Sequence, residues 1–129
     1  MGTTATDRTG IVMADTEGVI TSWNAGAERL FGHRADDAIG QSLDLIVPPE
    51  HREAHWAGFH RAIATGDCRL DRQATNLPVV HGDGSRRVLP GRFVFLVDPR
   101  DAVVGAMAIY AEPAGAEEAW GAVLPLEAG

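Results

Sequence analysis

The sequence predicts an α+β fold, a five-stranded antiparallel sheet with short helices packed on one face. Two observations carry this prediction. The strand-like segments are grouped, two before the helical segments and three after them, which favours an antiparallel sheet over a parallel one. Turns that combine an acidic residue with glycine or proline separate neighbouring strand-like segments, as in hairpins. We assign one domain to residues 10–112, a flexible segment to residues 1–9, and a tail to residues 113–129 in which Glu117 to Leu124 could form a short helix.

The first half of the domain begins with a hairpin and a capped helix. The apolar stretches 11–14 and 19–23 flank an acidic turn that ends in glycine. Asn24 suits a helix N-cap and Gly32 suits a helix C-terminus, so we predict a helix from Ala25 to Phe31. Two shorter segments follow, a helical turn or two from Arg34 to Ile39 and an apolar connection over residues 41–47.

A longer helix, from Pro48 to Gly66, carries the candidate site. Two prolines open its first turn, where backbone donors are not needed, and a glycine is placed to end it. Its apolar residues recur at helical spacing on one stripe, and a histidine lies among them: Trp56, Phe59, Ala62, Ile63 and His55. His55 is therefore predicted on the apolar face of this helix.

The second half of the domain has the pattern of a three-stranded meander. Extended segments are predicted over residues 68–80, 87–97 and 103–111, joined by turns at 82–85 and 98–101. Pro90-Gly91 interrupts the middle segment, and we interpret this pair as a bulge or an edge irregularity.

Composition and charge exclude several classes of protein. The net charge is −7, from 11 basic and 18 acidic residues with no lysine, which argues against nucleic acid or an anionic membrane as a partner. The lone Cys68 cannot form a disulfide within the chain, and no signal peptide or membrane-length apolar run occurs. We expect a cytoplasmic protein. The chain contains no nucleophile with its base, no phosphate loop and no kinase motif, so we expect no catalysis.

Over residues 10–112 the chain resembles the PAS domains of bacterial signalling proteins. The matching segments are residues 15–20, the block from Trp23 to Gly32, residues 39–41, the helix from Pro48, and Asp83-Gly84-Ser85. This resemblance implies the fold predicted above and a role in sensing a small ligand or in pairing with another domain. It does not specify the ligand, because function resides in the site rather than in the fold.

Haem-bound oxygen sensors of this family hold their iron on a histidine of the helix that begins here at Pro48. Arg52-Glu53-Ala54-His55 looks like their Arg-x-x-His sequence, and the spacing from His55 to Asp83 matches theirs. The resemblance therefore implies haem b, with His55 as the ligand of the iron. The chemistry requires a neutral imidazole in an apolar slot, which Trp56, Phe59 and Ile63 could line. The alternative is a structural histidine at a helix–sheet boundary.

Two positions on the third strand depart from those sensors. Their oxygen-binding arginine and, in one subgroup, a methionine ligand correspond to Thr75 and Gln73, which should share one strand face with Leu77. A hydroxyl forms a weaker hydrogen bond than a charged donor, so carbon monoxide or nitric oxide is expected to bind more readily than oxygen. Gln73 and Thr75 are equally well interpreted as solvent-facing strand residues.

The remaining candidates lie on the last two strands. Gly91 replaces a bulky apolar side chain of the haem sensors, Phe93 follows on the same face, and Ala108 is the small residue of the last strand. These residues could enlarge a pocket for a planar cofactor or for another apolar molecule.

Two other cofactor sites are set aside. The flavin-binding cysteine of blue-light receptors falls just after the Ile-Gly segment, where this chain has Gln41-Ser42-Leu43, so flavin is not expected and Cys68 is interpreted as a strand residue. His51 and His55 have a spacing that can hold zinc, but no third ligand is evident.

Three functional hypotheses remain. The first is a sensor of a diatomic gas, or of redox state, that binds haem b through His55 and acts as a homodimer on a kinase or another output protein. The second is a cofactor-free PAS module for dimerisation or protein interaction, in which His55 is structural. The third is a PAS domain that holds a different small apolar ligand.

Overall fold

The computed structural model describes residues 9–65, 75–113 and 124–125. The elements follow in chain order: β1 (Thr9–Ala14), β2 (Ile20–Trp23), α1 (Ala25–Phe31), α2 (Ala35–Ala38), 3-10 turns at Leu43–Leu45 and Pro49–His51, α3 (Arg52–Thr65), β3 (Thr75–Val80), β4 (Arg86–Val97), β5 (Val103–Ala111) and β6 (Leu124–Pro125).

The strands form one sheet with the order β2-β1-β5-β4-β3-β6. The four pairs β2–β1, β1–β5, β5–β4 and β4–β3 are all antiparallel. This confirms the five-stranded antiparallel sheet predicted from the sequence. The sixth strand was not predicted. It has two residues and pairs in parallel with the outer edge of β3.

Asn24 joins the first hairpin to helix α1. Its Oδ1 accepts the N-cap hydrogen bond from the backbone N–H of Ala27 at 2.9 Å and a second from Ile11 at 2.8 Å, while its Nδ2 donates to the carbonyl of Thr9. Gly32 ends the helix in the left-handed region with φ of 74°. The predicted bounds of α1 are thus confirmed, because both signals act locally.

The core lies between the sheet and α1. Its largest fully buried side chains include Phe31, Ile20 and Val12. Phe31 packs edge-to-face on Tyr110 of β5, with ring centroids 4.9 Å apart, and Trp23 donates its indole N–H to the carbonyl of His33. Burial raises the pKa of the Tyr110 hydroxyl well above its ordinary value.

The expected irregularity at Pro90-Gly91 is wrong. β4 runs through both residues, which pair in register with Asn76 and Thr75 of β3. The N–H of Val80 donates to the carbonyl of Ile46, away from β4. N–H groups on a strand point alternately toward each neighbour, so Asn76, like Val80, points its N–H away from β4. Its partner Pro90 therefore occupies a position whose N–H would not bond to β3, and the missing donor does not disturb the β3–β4 pairing.

Helix α3 begins later than predicted. Pro49–His51 form a 3-10 turn, and the α-helix starts at Arg52. Glu50 in this turn forms an ion pair with Arg86 at the start of β4. Among the described residues, no helix has the length and apolar character needed to cross a membrane.

Some predictions fall outside the described residues. These are the flexible segment up to residue 8, the end of the long helix at Gly66, the strand positions of Cys68 and Gln73, and most of the proposed tail helix. Leu124, the last residue of that proposed helix, lies instead in β6.

Candidate functional site

Helix α3 is packed incompletely against the rest of the domain. Ala62 is its one buried residue among 14. Trp56 and Phe59 pack against the core, yet they remain partly exposed, as does Ile63. The predicted apolar stripe therefore faces inward, and within the described part of the chain it keeps partly exposed apolar surface.

Trp56 fixes the first turns of this helix to the preceding segment. Its indole N–H donates to Oδ1 of Asp44 at 2.8 Å. Arg52, one turn earlier, donates to the carbonyls of Val47 and Asp44 at 3.2 Å each. The far edge of the indole lies over Gly18 in the first hairpin, where a Cβ would be only 2.2 Å from Cη2 of the ring.

His55 lies beside this anchor and is half-buried. Its ring meets Trp56 edge-on, with centroids 4.8 Å apart, and stacks on Phe59 at 6.0 Å. The Nδ1 atom is buried, and within the described part of the chain it has no hydrogen-bond partner. Burial lowers the pKa of the imidazole, the Asp44 carboxylate partly opposes that effect, and His60 adds to it. The ring is therefore held neutral, the form that binds metals.

Two sheet residues of the predicted site lie on the face that carries the helices. Phe93 pairs with Ala108 across β4 and β5, and Ala108 pairs with the buried Val12 of β1. Like Trp56 and Phe59, Phe93 and Ala108 border the core while remaining partly exposed. Helix and sheet thus each contribute incompletely covered apolar groups.

Thr75 and Leu77 are both buried, at 4% and 7% exposure. The solvent-facing interpretation of Thr75 is wrong, because its side chain alternates inward with Leu77 and Val79 along β3. Thr75 is the one polar residue in the described part of the chain that is buried as a whole.

The structure gives no open space at Gly91. A Cβ there would be 2.7 Å from Cδ1 of Leu77 and 3.1 Å from the ring of Tyr110. These side chains occupy the volume that the glycine was expected to leave to a ligand. Gly91 thus permits close packing of Leu77 and Tyr110.

These residues fit a planar apolar group with one nitrogen ligand. The fit rests on a neutral half-buried imidazole whose Nδ1 is unsatisfied, next to aromatic rings that retain exposed surface. Trp56, Phe59 and Ile63 share the helix with His55, whereas Thr75, Leu77, Phe93 and Ala108 come from three strands. Sequence analysis did not assign Asp44 or Gly18 to the site, because each contacts Trp56 from a segment that is distant along the chain.

A separate cavity of about 530 Å³ lies between α1, the start of β4 and the end of β5. Its lining combines two arginines and a glutamate with apolar residues: Arg29, Leu30, Arg87, Val88, Leu89, Glu112 and Pro113. It contains none of the predicted site residues. Arg29 forms an ion pair with Glu112, and Arg87 forms one with Asp83, so each charged group of the lining has a partner of opposite sign.

The family model of the PAS fold matches residues 6–109. The chain belongs to the PAS family, as the sequence resemblance predicted.

The chain is similar in sequence to two curated sensor proteins. The oxygen sensor protein DosP of Escherichia coli is 26% identical over 77 residues, which cover 60% of this chain and 10% of DosP. The sensor protein FixL of Bradyrhizobium diazoefficiens is 33% identical over 57 residues, 44% of this chain and 11% of FixL. The chain thus spans about a tenth of the length of these relatives.

Among solved structures, a PAS domain from Colwellia psychrerythraea has a TM-score of 0.69 at 25% identity, covering 81% of this chain and 85% of that one. The PAS domain of the quorum-sensing receptor RpfR of Cronobacter turicensis, in complex with C12:0, has a TM-score of 0.65 at 17% identity, covering 88% and 99%. At that identity the likeness to RpfR concerns the fold alone. The chain is a PAS sensory domain.

Proposed function

We propose that this PAS domain binds haem b through His55 and senses a diatomic gas at the iron. The observation that carries the proposal is the half-buried, neutral imidazole with an unpartnered Nδ1 on the apolar face of α3. A buried polar nitrogen without a partner costs free energy, and a role as a ligand is one reason for a protein to retain it. The similarity to DosP, whose name states that it senses oxygen, supports the same choice.

Each residue of the site has a distinct part in this proposal. His55 would hold the iron, while Trp56, Phe59, Phe93 and Ala108 would exclude water from the bound group. Bound there, haem would supply an iron that can take a gas molecule or change its oxidation state.

Thr75 and Leu77 are proposed to lie on the gas-binding side. Thr75 brings a neutral hydroxyl where the haem sensors that the sequence resembles have arginine. A neutral hydrogen bond contributes about 0.5–1.5 kcal/mol and one to a charged group about 1.5–3 kcal/mol, so the iron should bind carbon monoxide or nitric oxide in preference to oxygen. Gln73, outside the described residues, remains a proposed contact of the same ligand.

The proposal extends to the role of the domain in a larger signalling protein. We propose that it is not an enzyme, that it acts as a homodimer in the cytoplasm, and that it controls a kinase or another output protein. The relatives support this setting because the region they share with this chain is about a tenth of their length.

Absorption spectroscopy tests haem binding directly. The purified protein, reconstituted with hemin, should show a Soret band that shifts on reduction with dithionite and again with carbon monoxide. His55→Ala should lose that band, while His51→Ala should keep it, since His51 is exposed in the preceding 3-10 turn. A spectrum identical in wild type and His55→Ala would refute the assignment.

A cofactor-free interaction module is the second candidate. It is favoured by the packing of His55, whose ring already contacts Trp56 and Phe59 and so takes up part of the apolar face. Protein that stays colourless after hemin is added would support this candidate. Native mass spectrometry of the same sample would reveal any other small apolar ligand.

A further inference from the structure

The outer edge of β3 has few free backbone donors, so it can pair with only a short strand. The N–H of Val80 is used by the carbonyl of Ile46, and Pro78 has no N–H to donate. Since outward-pointing N–H groups occur at alternate residues, Asn76 is the remaining position of β3 that can donate to a strand added at this edge.

The segment that occupies this position is the β6 strand. Leu124 and Pro125 pair in parallel with Thr75 and Asn76. The pairing has two residues on each side, and Pro125 brings no donor. So short a ladder contains few hydrogen bonds, and we expect it to protect backbone amides from exchange by only about 10- to 100-fold.

Thr75 connects this weak pairing to the helix-bearing face of the sheet. Its backbone belongs to the ladder with β6, while its side chain is 4% exposed and points inward with Leu77. On its other side Thr75 pairs with Gly91, where the packing against Leu77 and Tyr110 leaves no free volume. A molecule that displaces Thr75 on the inner face must therefore also move the adjacent Asn76, which is the residue that can donate to β6.

We propose that Leu124–Pro125 form a reversible latch on the β3 edge, which docks or releases according to what occupies the inner face at Thr75. The ligand response of the latch rests on the proposed function, whereas its docking does not. Release would detach Leu124 and Pro125 from the sheet, so the latch is a route by which ligand binding on the inner face changes the pairing at the outer edge of β3.

Hydrogen–deuterium exchange tests the docking without any ligand. A chain that ends after Pro113 should exchange its amides around Asn76 about 10-fold or more faster than a chain that ends after Pro125. The amides of Val94 and Met107, paired at the centre of the sheet, should be unchanged and serve as the folding control. Equal exchange at Asn76 in the two chains would overturn the latch. If the shorter chain unfolds, Leu124→Pro in the full chain replaces it, with the same expected acceleration and the same refuting result.

The ligand response is tested with hemin on the full chain. Hemin should change amide exchange at Thr75, Asn76 and Leu124 at least about 3-fold in the wild type and not in His55→Ala. A Soret band without such a change would overturn the response while leaving haem binding intact. Absence of the Soret band would instead refute both haem binding and the response to it, and the comparison of the two truncated chains would still decide the docking.

Discussion

The indole N–H of Trp56 donates a 2.8 Å hydrogen bond to Oδ1 of Asp44, and this bond ties the candidate ligand helix to the segment before it. Because His55 precedes Trp56 in α3 and its ring packs edge-on against the indole, the bond also fixes the direction of the imidazole. The same carboxylate raises the pKa of His55 against the stronger opposite effect of burial. Asp44 thus affects both the position and the charge of His55.

Trp56→Phe should destabilise the domain because it removes this hydrogen bond. A net bond of this kind contributes about 0.5–1.5 kcal/mol to the free energy of unfolding, and Asp44→Ala should cost a similar amount. Asp44→Asn keeps an acceptor oxygen and is the matched control, expected to change stability less. Urea denaturation of the single and double variants measures the effect. Strictly additive losses in Trp56→Phe/Asp44→Ala would show that the two groups do not interact.

Gly18 is required by both its backbone and its neighbour. Its φ is +81°, and a Cβ would lie 2.2 Å from Cη2 of Trp56. We expect Gly18→Ala to cost about 1–2 kcal/mol of backbone strain plus about 1–3 kcal/mol for displacing the ring. Gly84→Ala is the control, because Gly84 has a φ of +87° with nothing within 4 Å of its Cβ position.

The two variants separate strain from contact in urea denaturation. Gly84→Ala should lose only the strain contribution, and Gly18→Ala should in addition alter tryptophan fluorescence because Trp56 must move. Equal losses in the two variants, with unchanged fluorescence, would contradict the close approach of Trp56 to Gly18.

Local sequence signals predicted the bounds of those elements whose ends are set by residues adjacent in the sequence. Asn24 and Gly32 mark the ends of α1 as predicted, and β5 begins and ends at its predicted residues. The first turn of the long helix was wrong, because prolines that suit an α-helical first turn also suit the 3-10 turn Pro49–His51 that replaces it.

Spacing within one helix predicted which of its residues lie together at the candidate site. His55, Trp56 and Phe59 follow from helical spacing, and their mutual contacts confirm that they share one face. Asp44 could not be found from the sequence, because its contact with Trp56 depends on how the chain turns between them. The β6 strand was missed for the same reason, since its two residues pair with a distant edge.

Gly91→Ala should destabilise the domain although alanine suits a strand better than glycine. The added methyl group would be 2.7 Å from Leu77 and 3.1 Å from the Tyr110 ring, and overpacking of this kind costs about 1–3 kcal/mol. Gly58→Ala in α3 is the control, because nothing lies within 4 Å of its Cβ position. It should stabilise the helix by about 0.5–1 kcal/mol.

Thermal or urea unfolding of these two variants measures the free space at each glycine. Opposite signs are expected. A neutral or stabilising Gly91→Ala would mean that the volume beside Leu77 is open after all, which would restore Gly91 as a pocket residue.

Asp83 should make the domain lose stability in acid. Hydrogen bonds from the Ser85 hydroxyl and backbone N–H lower the pKa of its carboxyl from 3.8 to about 2, with smaller contributions from His81. A carboxyl whose pKa is lower in the folded than in the unfolded state stabilises the fold above pH 3.8, and that contribution is lost as pH falls through 3.8 toward 2. Asp83→Asn keeps an oxygen that can accept the hydrogen bonds from Ser85, but its amide side chain does not titrate. Urea midpoints measured from pH 5 to pH 2.5 should therefore fall more steeply in the wild type than in Asp83→Asn, with Ser85→Ala between them because it retains the backbone bond. Parallel pH profiles for all three proteins would contradict the lowered pKa of Asp83.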